Sequence, residues 1–227
     1  MTVASAAAAL GLALSAEQRR RLERFLALVE EWRTRVQLTG ADSSEAASVL
    51  VAGALCVLPF VPESGRLADL GSGAGVPGIP IAVMRPRLRV LLADAARKKT
   101  AFLEIAARDL GLDNVDVAQA RAEDLGRNPA HRDRYDAVTA RALASVRVLA
   151  EYALPLLRLG GGAVLAKGRG ATDEVRAAAR ALQVLGGEAM VHSPPADVCS
   201  PVVVIRKIAP TPAAYPRRAG VPQRRPL

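Results

Sequence analysis

Aromatic side chains are scarce in this chain: Phe, Tyr and Trp make up 3% of it, with a single Trp. A planar base held by such a protein would rest on an arginine plane or an aliphatic wall more readily than on Tyr or Trp. Cysteine occurs only at Cys56 and Cys199, which leaves no disulfide framework and no zinc-ligand spacing and implies a reducing compartment. His131 and His192 stand far apart, with no carboxylate or cysteine pattern to make a triad or a metal site. No apolar run is long enough to span a bilayer. The Ala-rich opening up to Leu14 is apolar like a signal sequence, but it has no basic start and leads straight into a charged amphipathic helix. These absences argue against a disulfide scaffold, a zinc or histidine-based active site and a membrane protein, and they predict a cytoplasmic location.

What is present is more specific. With 227 residues and 51% apolar content, the chain suffices for one α/β domain with a modest addition and is too short for two full domains. Its formal charge of +9 comes almost wholly from arginine, which points to a polyanionic partner, nucleic acid ahead of an anionic membrane, or else simply to a high-GC genome that writes Arg and Ala freely. Ser15-Ala16-Glu17-Gln18 has the form of a capping box. Leu22, Phe25, Leu26, Val29, Trp32 and Val36 follow it at helical spacing, and Trp32 reads as core rather than as a base platform. A second helical segment is expected from about Ser43 to Leu58, stopped near Pro59 and Pro62. Residues 1–62 thus form an expected N-terminal helical cap, docked on a sheet that follows.

From residue 63 to residue 209 the pattern is strand, turn, helix, repeated. Strands are predicted at Arg66–Leu70, Arg89–Ala93, Val115–Ala118, Ala137–Ala140, Ala163–Ala166, Glu188–Val191 and Val202–Arg206. Helices are predicted near Pro80–Met84, Lys98–Leu110, Ser145–Leu157 and Thr172–Leu185. Continuous apolar strands alternating with helices predict a mostly parallel sheet covered on both faces. Only Ser193-Pro194-Pro195-Ala196-Asp197 and a few neighbours separate the last two strands, too little for a crossover, so these two should pair antiparallel. Residues 210–227, rich in Pro and Arg, read either as a basic arm laid on phosphates or as a disordered end.

The first strand closes on Asp69-Leu70-Gly71-Ser72-Gly73-Ala74-Gly75, and the second ends on Asp94. A glycine turn after a strand, with an acid at the tip of the next strand, describes a nucleoside pocket. Two ligands compete for it. Gly73-Ala74-Gly75-Val76-Pro77-Gly78 formally matches a dinucleotide fingerprint, whose pyrophosphate needs a helix N-terminus. Pro77 and Pro80 remove two donors there, however, and the Asp69 carboxylate at the strand exit suits a cation, such as the sulfonium and ammonium of S-adenosylmethionine (SAM). The balance favours SAM. Gly71, Gly73 and Gly75 would let the backbone approach its methionine and ribose part. Asp94 would accept the ribose hydroxyls, cap the next helix, or do both. Ala122 and Glu123, after the third strand, occupy the place that contacts the adenine edge, though Glu123 by itself could equally be a solvated charge.

The stretch from Asp69 to Pro80 resembles the signature of the bacterial 16S rRNA guanine-N7 methyltransferase G family, also called glucose-inhibited division protein B. The likeness continues through Asp94-Ala95-Ala96-Arg97-Lys98-Lys99, Arg121-Ala122-Glu123, Thr139-Ala140-Arg141-Ala142, Gly161-Gly162, Lys167-Gly168 and the tail from Tyr215 to Pro222. It departs at Trp32-Arg33-Thr34-Arg35-Val36-Gln37-Leu38-Thr39, where the family carries two asparagines, and at Val49 to Ala54, where it carries a His with an Asp or Asn. The resemblance implies an α/β fold of the class I SAM-dependent methyltransferase type (Rossmann-like), with a seven-stranded sheet whose last strand is antiparallel. It implies methyl transfer from SAM to N7 of one guanine in the 530 loop of 16S rRNA, with cofactor contacts at Gly71, Gly73, Val76, Asp94, Ala95, Ala96, Ala122, Glu123 and Arg141. The expected partner is 16S rRNA or the 30S subunit, with a monomer as the default and no metal. N7 carries a lone pair and no proton, so no catalytic base is expected, and none is assigned. Arg141, Lys167, Arg97, Lys98, Lys99 and the tail arginines are candidates to grip the RNA backbone. Alternatives are a SAM-dependent enzyme acting on another RNA or a small molecule, and an rRNA-binding homologue with weakened turnover.

Overall fold

The computed structural model describes residues 2–33, 51–193 and 199–227. Val36, the altered Trp32–Thr39 motif beyond residue 33, and the second helical segment up to Leu50 therefore lie outside the described residues. The Ala-rich opening folds as helix α1 (Val3–Ala9), capped by a reciprocal Thr2–Ser5 pair, with Val3 and Ala7 buried. The capping box at Ser15 forms as the spacing predicts: the Gln18 N–H donates to Ser15 Oγ at 3.1 Å, and the Ser15 N–H donates to Gln18 Oε1 at 2.9 Å. Helix α2 (Ala16–Arg33) begins there and buries Leu22, Phe25, Leu28 and Val29. Trp32 packs at a tilt on Phe102, their ring centroids 5.8 Å apart, as a core contact. Residues 51–55 are helical and lead through a 3-10 turn at Leu58–Phe60 into the sheet.

The strands are β1 (Gly65–Leu70), β2 (Leu88–Asp94), β3 (Val115–Gln119), β4 (Tyr135–Arg141), β5 (Leu157–Ala166), β6 (Gly187–His192) and β7 (Val202–Lys207). They assemble in the order β3-β2-β1-β4-β5-β7-β6. Every pairing is parallel except those of β7, which runs antiparallel to both β5 and β6. β5 begins earlier than its apolar run suggests, because a register shift between Tyr135 and Ala137 lets Leu157 pair with Tyr135. The helices between strands are α3 (Gly78–Met84), α4 (Arg97–Asp109), α5 (Ala122–Arg127), α6 (Val146–Ala153), α7 (Ala171–Ala177) and α8 (Ala179–Leu185). Helix α5 is too short to leave a periodic signal. The helix expected over Thr172–Leu185 is two, broken at Ala178, which is fully buried.

Two apolar clusters cover the two faces of the sheet. One joins α1, α2 and residues 51–61 with α3, α4 and the inward side chains Leu67, Val90 and Leu92. The other joins α5 to α8 with Ala68, Val138, Leu165 and Val203. The cap residues thus share a core with the sheet helices, and Arg24 adds a two-pronged contact to Asp109 on α4 (2.8 and 3.1 Å).

Two expectations are corrected. Cys56 and Cys199, read as separate reduced thiols, are joined by a disulfide across a sequence separation of 143. Spacing could not signal it, because only the folded sheet brings the end of the cap to the approach of β7. The tail is not a disordered end: it is ordered, and Arg218, Arg224 and Arg225 on it stay exposed. It folds back over α5 and α6 and closes with helix α9 (Val221–Arg224).

Candidate cofactor site and basic cavity

Gly71, Gly73 and Gly75 all have positive φ (64°, 54° and 85°), which L side chains rarely adopt. Gly71 is doubly constrained, since a Cβ there would lie 2.7 Å from Leu143 Cδ1 of the β4–α6 loop. The turn is pinned at its base. Ser72 Oγ donates to the Asp69 carbonyl at 2.8 Å, and the Ser72 N–H donates to the Ala93 carbonyl at 3.0 Å.

Asp69 does not face a ligand, which corrects the expectation that its carboxylate meets a cation directly. It is fully buried, accepting from Thr139 Oγ1 at 2.8 Å and from the Gly78 N–H at 3.3 Å. Desolvation pushes its pKa up to about 6, against the hydrogen bonds from Thr139, Ser72 and Gly78. The case against a pyrophosphate is unchanged, but its cause moves: the first amide of α3 is already taken, from beneath, by the protein's own carboxylate.

Asp94 sits at the rim. Its Oδ2 accepts from the Gly73 N–H at 3.0 Å and its Oδ1 from the Ala96 N–H at 2.9 Å. Asp94 thus closes the turn and holds the amide of Ala96, the N-cap residue of α4, but the helix itself takes no side-chain cap; each carboxylate oxygen keeps a further lone pair for a hydroxyl. Ala95 and Ala96 are exposed beside it, and Gly71, Gly73 and Val76 are half-buried across from it. This donor set and the bare turn fit a nucleoside with free ribose hydroxyls. Ala122 opens α5 and is half-buried, whereas the side chain of Glu123 turns inward, 3% exposed, accepting from the Gly220 N–H at 2.8 Å. Sequence reasoning missed that commitment, because the donor lies 97 residues away.

Arg141 ends β4 and Lys167 follows β5, as the strand assignments require. Both line a cavity of about 320 Å³ with Gly53, Cys56, Glu174 and Ser200. The Arg141 guanidinium lies against Gly53 of the cap, and burial lowers its pKa. Lys167 is held inside the protein, donating to the Ala144 carbonyl at 2.9 Å and pairing with Glu174 at 2.8 Å. Its reading as an RNA-gripping side chain is corrected accordingly. Arg97 and Lys98 remain exposed next to Asp94. Neither histidine reaches the glycine turn: His131 Nδ1 lies 2.6 Å from Tyr135 Oη at the opposite end of β4, and His192 packs on Phe60. Among the described residues no helix is long and apolar enough to cross a membrane, and no cluster of His, Cys, Asp or Glu could hold a metal ion.

A seven-stranded sheet with an antiparallel β7, a glycine turn after β1 and an acid ending β2 define a class I SAM-dependent methyltransferase. A solved structure of a putative SAM-dependent methyltransferase from Methanococcus maripaludis shares this fold, with a TM-score of 0.57 at 12% identity over 87% of this chain and 96% of that one. The particular family follows from sequence. Residues 18–195 match the rRNA small subunit methyltransferase G family, GidB, and the chain belongs to it. Curated members named ribosomal RNA small subunit methyltransferase G, from Roseiflexus sp. and Chloroflexus aggregans, are 44% and 43% identical. They align over 97% and 96% of this chain and 97% and 93% of their own lengths. The chain is a methyltransferase that uses SAM.

Proposed function

We propose that this enzyme methylates N7 of a guanine in the 530 loop of 16S rRNA, free or within the 30S subunit, as a cytoplasmic monomer. The observation that carries the reading is the placement of two sites on one sheet edge. The Asp94-closed glycine turn and the Arg141 cavity both sit at the C-terminal tips of β1, β2 and β4, where such sheets bind ligands. Gly71, Gly73 and Val76 would line the methionine and ribose part of SAM. Asp94 would hold the ribose hydroxyls with Ala95 and Ala96 beside it, and Ala122 and the backbone of Glu123 would face the adenine. Arg141 would stand where cofactor and cavity meet.

Bound there, SAM supplies a methyl group on a positively charged sulfur. Guanine N7 has a lone pair and no proton to lose, so the protein's task is to hold the base in line and keep water away. The absence of histidine from the turn suits that task. Arg97 and Lys98, exposed beside the turn, would meet phosphates and make binding salt-dependent.

The test is methyl transfer from labelled SAM to 30S particles lacking the modification, with the methylated base mapped. Label at N7 of a 530-loop guanine is the expected result. Transfer to another position, or none while SAM binds with a Kd of about 1 μM, would overturn the assignment.

A further inference from the structure

The segment after β7 is fastened to the molecule at every stage. Arg132 takes the Tyr215 carbonyl at 2.7 Å and the Thr211 carbonyl at 2.8 Å, and Arg127 of α5 takes the Pro216 carbonyl at 2.8 Å. Pro216 then lies directly on α5, where a Cβ added at Gly126 would stand 2.8 Å from its Cγ. The next residue, Arg217, grips the fully buried Glu151 of α6. Its backbone N–H and Nε donate to Oε1 at 2.8 and 2.9 Å, and its Nη2 donates to Oε2 at 2.6 Å. At Gly220 the backbone turns with φ +80°, and its N–H reaches the buried carboxylate of Glu123.

Three of these contacts, from Arg127, Gly126 and Glu123, fall on one short element, α5, and a fourth grips its neighbour α6. We propose that residues 211–224 form a strap that sets the Ala122–Glu123 end of the cofactor pocket, with Arg217 and Glu151 as positioning residues for SAM. The inference rests on the reading of Ala122 and Glu123 as cofactor contacts. Its logic is one of satisfied charge. While Gly220 supplies a donor, the Glu123 carboxylate stays turned inward and α5 is held down by Pro216. Without Arg217, Glu151 loses the charged partner it has among the described residues, and the strap is left with its weaker carbonyl and packing contacts to Arg127, Arg132 and Gly126. Glu123 would keep the Tyr152 hydroxyl as a partner but lose the Gly220 donor, and α5 would lose part of what fixes its place. Arg218, Arg224 and Arg225 remain exposed, so the strap still presents cations outward while its inner contacts serve the cofactor side.

The test compares the unaltered full chain with Arg217→Met. SAM affinity by calorimetry should fall about tenfold, within the range usual for coupled sites. The SAM KM should rise by the same factor, while the rate at saturating SAM and the affinity for rRNA stay within twofold. A loss of rRNA affinity with unchanged SAM affinity would make the tail a phosphate-binding arm and overturn the strap. No SAM binding by the unaltered chain would instead remove the cofactor reading itself. A second measurement needs no variant: coupling is reciprocal, so saturating SAM must slow hydrogen exchange at the Arg217 and Gly220 amides about tenfold in the unaltered chain. Unchanged exchange at both amides in the SAM-bound chain would overturn the strap even if Arg217→Met failed to fold.

Discussion

The two additions to the sheet, the cap before it and the tail after it, are attached by opposite means. The cap buries Leu22, Phe25, Leu28 and Val29 in a core shared with α3 and α4, and its charged contact, Arg24 with Asp109, is half-exposed. An ion pair so placed contributes little. The tail has few apolar side chains to bury and relies on Arg217 with Glu151, on carbonyls held by Arg127 and Arg132, and on Gly220 with Glu123. Proline makes this workable: Pro210, Pro212, Pro216, Pro222 and Pro226 restrict the unfolded tail, so less entropy is lost when it is ordered. A long segment can be held by area, whereas a short one needs directed, charge-assisted bonds.

The sharpest test of that contrast is Phe25→Ala. Phe25 is fully buried, and its truncation should lower unfolding free energy in denaturant by about 3–5 kcal/mol. Where the variant remains folded, its SAM affinity should stay within about twofold of the unaltered chain's; a larger loss than Arg217→Met produces would erase the distinction between the two attachments. Next in size, replacing Cys56 and Cys199 together with serine should cost about 2–4 kcal/mol, and reductant should reproduce the loss in the unaltered chain while leaving the double variant unmoved. A melting temperature indifferent to both would mean that area alone holds the cap.

The glycine turn between them should show its own signature, shared by cap and tail variants alike. The Asp69 carboxyl titrates near 6 when folded and near the ordinary 3.8 when unfolded, so the folded state binds the proton more tightly. Stability therefore rises as pH falls from about 7 to 4, by at most about 3 kcal/mol. His131, lowered by burial, works in the opposite sense below its usual 6.5. The readout is accordingly the difference in pH slope between the unaltered chain and Asp69→Asn, and equal slopes would refute it. The smallest expected effect is at the start of the cap, where Ser15→Ala should cost about 1 kcal/mol, measured as a shift in denaturation midpoint.

Much of this architecture was legible because it is local. Continuous apolar runs such as Val90-Leu91-Leu92-Ala93 mark buried parallel strands, and the short Ser193–Asp197 connection dictated the antiparallel β7. The glycine turn and Asp94 were legible for the same reason, since strand ends place them on one edge. What could not be read depends on partners distant in sequence. The inward turn of Glu123 needs Gly220, the retention of Lys167 needs Glu174 and Ala144, and the pairing of Cys56 needs Cys199. Asp69 was read at the right place with the wrong exposure, because burial beneath α3 is a property of packing and not of spacing.

The bridge between Cys56 and Cys199 also sets an order of events during synthesis. Cys199 leaves the ribosome only after six of the seven strands have been made, so the cap must wait through most of translation without its covalent tie. During that interval its buried apolar face and contacts such as Arg24 with Asp109 must keep it in place. A chain stalled before residue 199 would have every strand but the last, and yet not the partner that Cys56 has in the finished fold.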